Sequence, residues 1–539
     1  MKNLKLMKLH FDPYITVKQI IQLLLLLTLV VTIYGMFILV PAFLSDESIY
    51  EYASYAILKG VVPYRQITLV HPPIMYLAYA IPIYLSGSNL LVTRTFSLFI
   101  VLLDVILTYF LARKLQLPHS LSLLASALYA LWPSTIPFAL TSLLSNLVIM
   151  FGLTAFILYV KGKPKTLFLS GFMMGLAMMT WYLALFLFLS LLTYHVIRSV
   201  WQKMSVCKVM IDSTVIVSGS LIPIVFFLVW IGLVWHATTF FYSQTFMLHI
   251  TRETLTVMEK WISIATFAEY FSPIILLSVI GAMISTIHFK SYVSNFFMLT
   301  FVSLAYTLFL FFMVKTLLVH YLFILTPFLA ILSAFTFQTA NRALSNLKES
   351  HAKSETKLFL VILFSLLLVT GIVTNVQKYS FYAPYLRFGY VNPSNQIDFY
   401  IGSRIAGLTS PDEKIWTSEP AIAFFAQRLI MPPNSTMWPL QGFFYDVFDA
   451  PFVDAYGVTH EGKGLVKPSQ FIESWETHDV KVIVFIRGSG AVPYPDNLLW
   501  EGFGGERGVK EWVEQNFKLE EIVVSPDVGY TYYIWLRGK

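Results

Sequence analysis

The chain has 539 residues, of which 57% are hydrophobic and only 12% charged, where an ordinary soluble domain carries about 25% charged residues. With a mean hydropathy of +0.69, that composition excludes a purely soluble protein and indicates a helical membrane protein that crosses the bilayer many times. The formal net charge of +7 is spread over short basic turns rather than one face, so it does not indicate a nucleic-acid partner, and a single cysteine, Cys207, excludes an intramolecular disulfide and a cysteine-rich metal cluster.

In chain order, Lys2, Lys5, Lys8 and Lys18 precede an apolar run at 20–43. That run is too long for a signal-peptide core and no small-residue cleavage site follows it, so it reads as an uncleaved anchor. A span needs roughly 20 residues. Further runs at 91–112, 119–138, 143–160, 166–179, 181–197, 210–235, 265–287, 294–313, 318–337 and 357–376 give about eleven spans. The 72–87 segment is apolar but about half a span long once its prolines and Gly87 are removed, and is expected to lie along the surface. Basic clusters at 1–18, 113–114, 161–165, 198–208, 288–290 and 342–357 then all fall on one side. The positive-inside rule makes that side cytoplasmic and puts the tail outside.

The tail from 379 is different material. Residues 380–539 hold 19 of the 30 acids. Strand and helix patterns alternate: KIWTS then AIAFFAQRL, QFIESWE then VKVIVFIRG, VKEWVEQNF then EEIVV and YTYYIWL. The expected organisation is a transmembrane domain at 1–378 and a small external α/β domain at 379–539 with a partly parallel sheet. Asn434-Ser435-Thr436 is a glycosylation sequon in that tail.

Acids are scarce in the apolar part, which makes Asp46-Glu47 at the end of the first run conspicuous. Ser45 can cap a helix starting there, and first-turn acids are favoured by the helix dipole. The alternative is a general base or metal ligand at the bundle rim, where partial desolvation raises a carboxyl toward neutrality. His71 precedes Pro72-Pro73, which holds it in extended backbone. It is either a turn residue at the interface or part of a site. Lys315, His320, Tyr321 and Pro327 mark a late span. Snorkelling and packing explain the two cations, and so does an anion site that Arg94 would join. In the outer segment 236–262, Arg252, Glu253 and Glu259 could contact a substrate or form surface ion pairs. No phosphate-binding glycine loop, HExxH or GxSxG occurs.

Taken together these pieces resemble the GT-C superfamily of membrane glycosyltransferases, in the branch of the protein O-mannosyltransferases and the aminoarabinose transferase. The resemblance rests on Asp46-Glu47-Ser48-Ile49-Tyr50 with Ala53 and Ala56, on His71-Pro72-Pro73-Ile74-Met75-Tyr76 through Gly87 with Arg94 following, and on Lys315, Tyr321 and Pro327. It implies a catalytic outer loop at 44–90 and sugar transfer, with inversion, from a polyprenyl-phosphate-linked donor to a hydroxyl on a lipid, glycan or protein. Asp46 would be the base and Glu47 its companion. Arg94, Lys315, His71, His320 and Tyr321 would bind the donor phosphate. A divalent metal ion is left open, with Asp46, Glu47 and His71 as its ligands. Residues 141–146, TSLLSN, lack the second acid many relatives carry, and the tail lacks the WWDxG of oligosaccharyltransferases. A transporter or lipid flippase with an external domain is the rival reading.

Overall fold

The computed structural model describes residues 16–39, 45–67, 69–141, 143–247, 255–287, 294–315, 317–345, 366, 369–371, 373, 393–431, 452–453, 459–460, 468–488, 499–500, 507–525 and 530–538. Among these, seven helical segments are long and apolar enough to cross a membrane, or nine if each of two bent pairs counts as one span.

The first is α1, Val17–Phe37. Only Val30 and Tyr34 on it are buried, and Tyr34 donates to the Ala130 carbonyl. The short helices α2, Ser45–Leu58, and α3, Ile74–Ser86, follow. At 13 residues α3 is too short to cross, as its sequence leads one to expect. Then come α4, Leu90–Lys114; α5, His119–Ala130; α6, Thr135–Thr141; α7, Leu143–Lys161; α8, Pro164–Met178; α9, Ala184–Trp201; and α10, Val206–Leu233. A short α11, Thr238–Tyr242, leads to α12, Val257–Tyr270; α13, Ser272–Ile287; and α14, Ser294–Met313. A 3-10 turn at Val319–Leu325 runs into α15, Thr326–Ser345.

Two expected spans are broken. The 119–138 run bends by 68° between α5 and α6, and the 265–287 run by 97° between α12 and α13. Pro133 and Pro273 stand at the breaks, where a ring replaces a backbone N–H and cannot continue the hydrogen-bond ladder. Of the 357–376 run, residues 366, 369–371 and 373 are described, and all are helical.

At 15 residues α8 is short, yet it is packed tightly. A side-chain carbon added at Gly171 would lie 1.9 Å from the Ile216 carbonyl oxygen, and one at Gly219 would lie 2.0 Å from that of Phe168. The two backbones therefore touch, the close approach that small residues permit between membrane helices.

The tail forms α16, Pro393–Leu408; β1, Ile415–Thr417; α17, Pro420–Ala426; β2, Phe452–Val453; β3, Thr459–His460; α18, Pro468–Thr477; β4, Val482–Gly488; α19, Lys510–Asn516; β5, Phe517–Ser525; and β6, Tyr530–Arg537. Every strand and helix pattern named above for the tail is present. The main sheet has the order β1-β4-β6-β5, with β1 parallel to β4 and the other pairs antiparallel. Trp416, Phe471, Trp475 and Phe485 interlock on its buried side.

Candidate active site

The α2 helix organises the site, because its sequence buries almost all of its circumference. Residues 47 to 56 are all buried. A helix repeats every 3.6 residues, so three different stripes face three different neighbours.

One stripe carries Glu47 and Glu51, one turn apart, against α4. Glu47 receives two hydrogen bonds from Arg94, 2.9 Å from Nε and 2.8 Å from Nη2. Both side chains are sealed, at 0% and 1% exposure for Arg94 and Glu47. The remaining Nη1 donates to the Ile38 carbonyl at 2.9 Å. Arg94 was expected to meet a donor phosphate. Its three nitrogens are instead engaged inside the protein, where they tie α1 and α2 to α4. Beside them Glu51 is fully buried next to Thr93, and neither of its oxygens makes a well-formed hydrogen bond among the described residues. Burial pushes its carboxyl well above the usual carboxylate range, and the neighbouring Glu47 adds to the rise. One guanidinium for two carboxyls leaves Glu51 as the protonated member.

The second stripe carries Tyr50, whose hydroxyl is 2.9 Å from His71 Nε2. The His71 loop is braced from several directions. Tyr64 donates to the His71 carbonyl at 2.9 Å. The backbone N–H of Ile74 reaches the Met179 carbonyl at the end of α8. Gln244, in the segment after α10, spans the loop, donating to the Tyr64 carbonyl and accepting from Leu69 N–H.

The third link is aromatic. His71 packs edge-on against Trp181 at 6.2 Å between ring centres, and parallel to Tyr182 at 6.2 Å. Trp181 also stacks on His320 at 6.2 Å and meets Tyr321 edge-on at 5.3 Å. The His71 loop, the α8–α9 turn and the late 3-10 turn thus meet at one indole. Lys315 is half-buried four residues before that turn, and its carbonyl accepts from Leu255 N–H.

Asp46 lies in the first turn of α2, four residues before Tyr50 and next to Glu47; its side chain lies outside the described residues. Arg252 and Glu253 also lie outside them. Glu259 closes a capping box with Thr256 at the start of α12, so its carboxylate serves a helix end.

Of the residues offered for a metal, the Asp46 side chain lies outside the described residues. Glu47 gives both oxygens to Arg94, and the Tyr50 hydroxyl sits on His71 Nε2. No group of three or more His, Cys, Asp or Glu converges among the described residues. Sequence reasoning passed over Glu51, although its i+4 spacing from Glu47 puts it on the same stripe, and over Trp181 as the meeting point. Gln244 carries no sequence signal at all.

No protein-family model matches the sequence, and no curated protein matches it. Solved structures do. ArnT from Cupriavidus metallidurans, in a crystal structure bound to undecaprenyl phosphate, is similar with a TM-score of 0.59 at 13% identity, over 96% of this chain and 98% of that one. Its apo structure gives 0.58 at 14% identity, over 95% and 97%. The apo oligosaccharyltransferase of Archaeoglobus fulgidus gives 0.52 at 11% identity, over 86% of this chain and 69% of that one. The chain therefore shares the fold of these proteins: a polytopic helical membrane protein with a small C-terminal sheet.

Proposed function

We propose that this protein is a glycosyltransferase that moves a sugar from a polyprenyl-phosphate-linked donor to a hydroxyl acceptor at the outer face of the membrane. The observation that carries the reading is the convergence on Trp181. His71 and the His320–Tyr321 pair, about 250 residues apart in sequence, meet on one ring, and α2 joins them through Tyr50. The full-length likeness to ArnT, a protein crystallised with undecaprenyl phosphate, supports a lipid-phosphate donor.

In the proposed step, the acceptor hydroxyl attacks the anomeric carbon opposite the phosphate. Its proton passes to Asp46 as the new C–O bond forms. The bond from the anomeric carbon to the phosphate oxygen breaks, and the lipid phosphate leaves with the bonding electrons. Displacement from the opposite face inverts the anomeric centre. Lys315, His71, His320 and Tyr321 supply the cationic and hydrogen-bonding groups for the developing phosphate charge. Arg94 and Glu47 work one step back: their ion pair sets the position of α2 and thereby of Asp46. The tail lies outside the cytoplasm in this reading, as the basic turns indicate.

Membranes containing the protein, incubated with polyprenyl-phosphate sugars labelled in the sugar, test the proposal. Label should leave the lipid for an acceptor with the wild-type chain and not with Asp46→Asn. Retention of every label on the lipid, with the protein folded and acceptor-rich membranes present, would refute it.

A further inference from the structure

The remaining stripe of α2 is held by the tail. Ser48, Tyr52 and Tyr55 follow the i, i+4, i+7 pattern of one helical face. Each side chain meets the segment from Glu419 to Ile430. Ser48 donates to Glu419 Oε1 at 3.4 Å. The Tyr52 hydroxyl accepts from the Ile430 N–H at 2.7 Å. The Tyr55 hydroxyl donates to the Gln427 carbonyl at 2.5 Å. These are specific groups. Gln427 ends α17 in the left-handed conformation, at φ 53°, which turns the chain sharply after the helix, and Tyr55 caps the carbonyl at that turn. Ile430 forms an isolated parallel bridge with Ile415 of β1: Ile415 N–H reaches Leu429 O at 3.1 Å and Met431 N–H reaches Ile415 O at 2.9 Å. The Ile430 N–H points away from β1, and Tyr52 takes it. Tyr52 is 3% exposed and Ile430 5%, so water does not replace this bond.

We infer that Tyr52 is a positioning residue through which the tail fixes the catalytic helix, with the segment Leu429–Met431, bridged to β1, as its anchor. Away from the tail, α2 is held near its start by Arg94 and Glu47 and on a second face by Tyr50 against His71. The contacts at 48, 52 and 55 sit along its length and hold the third face. The inference rests on the reading that α2 carries the acceptor base. Its chemical content is that disturbing the tail edge lowers turnover while leaving donor binding, which belongs to the His71, Lys315 and Tyr321 side, in place.

The test is Tyr52→Phe in the full-length protein, which keeps the ring and removes only the acceptor. The expected result is a fall in kcat of about 10- to 100-fold, the scale of a small misplacement of a reacting group, with KM for the lipid donor within about twofold of wild type. Hydrogen exchange should speed up in 45–58 and at 429–431, with protection of β4 and β6 unchanged. Wild-type kcat, or a fall in kcat accompanied by equal loss of protection in β4 and β6, overturns the inference. Should the wild-type chain transfer no sugar, the function proposed above fails, while the exchange measurement still decides whether α2 is held through Tyr52.

Discussion

Replacing Arg94 separates two roles that the sequence left joined. A phosphate-binding arginine faces the donor, and losing it weakens donor binding while the protein stays folded. The observed Arg94 is 0% exposed and gives two hydrogen bonds to a carboxylate that is itself 1% exposed. In Arg94→Met the side chain keeps much of its length and loses its charge, so Glu47 is left buried without a partner. Breaking a buried pair in this way costs about 3–5 kcal/mol. The Ile38 carbonyl loses its donor as well, at about 1 kcal/mol. Glu47→Gln in the same chain removes the stranded charge, and exchanging both partners of a buried pair for neutral groups is often close to neutral. The double variant should therefore recover most of the loss, leaving about the 1 kcal/mol of the Ile38 contact. The measurement is a double-mutant cycle on the folded fraction in detergent across a temperature series, with donor KM determined for each variant. A coupling above about 2 kcal/mol is expected, within the range seen for residues in contact. Arg94→Met with wild-type stability, additive with Glu47→Gln and with a raised donor KM, would refute the reasoning and return Arg94 to the phosphate.

Three further predictions follow from named groups. Asp46→Asn should leave folding intact, since asparagine retains capping ability, and should lower transfer by about 10²–10⁴-fold; turnover at the wild-type rate would move the base elsewhere. Glu51→Gln should fold and should flatten the pH dependence of stability. The Glu51 carboxyl is raised in the folded state by burial and by Glu47, so its contribution is fully present below its unfolded value of about 4.3 and is lost as pH rises from there toward the raised folded value. Unfolding of wild type and Glu51→Gln across that window checks the sign, and equal slopes would count against a buried protonated carboxyl. Gly171→Leu should separate α8 from α10, because even a first carbon there would lie 1.9 Å from the Ile216 carbonyl oxygen; a destabilisation of at least about 1–3 kcal/mol is expected from overpacking, and wild-type thermal stability would contradict the packed crossing.

The fold was legible where local physics dominates. Long apolar runs must become helices in lipid, because no water satisfies the backbone there, so α1, α4, α7 and α10 can be read from hydropathy. The tail strands were legible for a similar reason: alternating apolar patterns such as YTYYIWL fit a half-buried strand, and β6 is one. The bends at Pro133 and Pro273 were also written in the sequence. They were missed because a window of average hydropathy does not register a single ring that stops a helix.

The site was legible only in part, and the reason is that its working contacts join distant segments. Asp46, Glu47 and His71 stand out because acids and a histidine beside prolines are rare in such a chain. What each one touches is set by packing. Charge and position alone cannot say whether Arg94 faces a ligand or a neighbouring carboxylate, since both need a cation at the outer end of a span. In the structure Glu47 and Ile38 take its Nε, Nη2 and Nη1. Burial raises the Glu47 carboxyl above the usual carboxylate range and the Arg94 ion pair works against that rise. Because both its oxygens accept from Arg94, our proposal reads Glu47 as the anchor of α2. Glu51, buried with its proton, is held by the same shortage of counter-charge. Of the three acids on α2, Glu51 is buried and Glu47 is engaged by Arg94, so our proposal keeps the base at Asp46, beside Glu47 in the first turn.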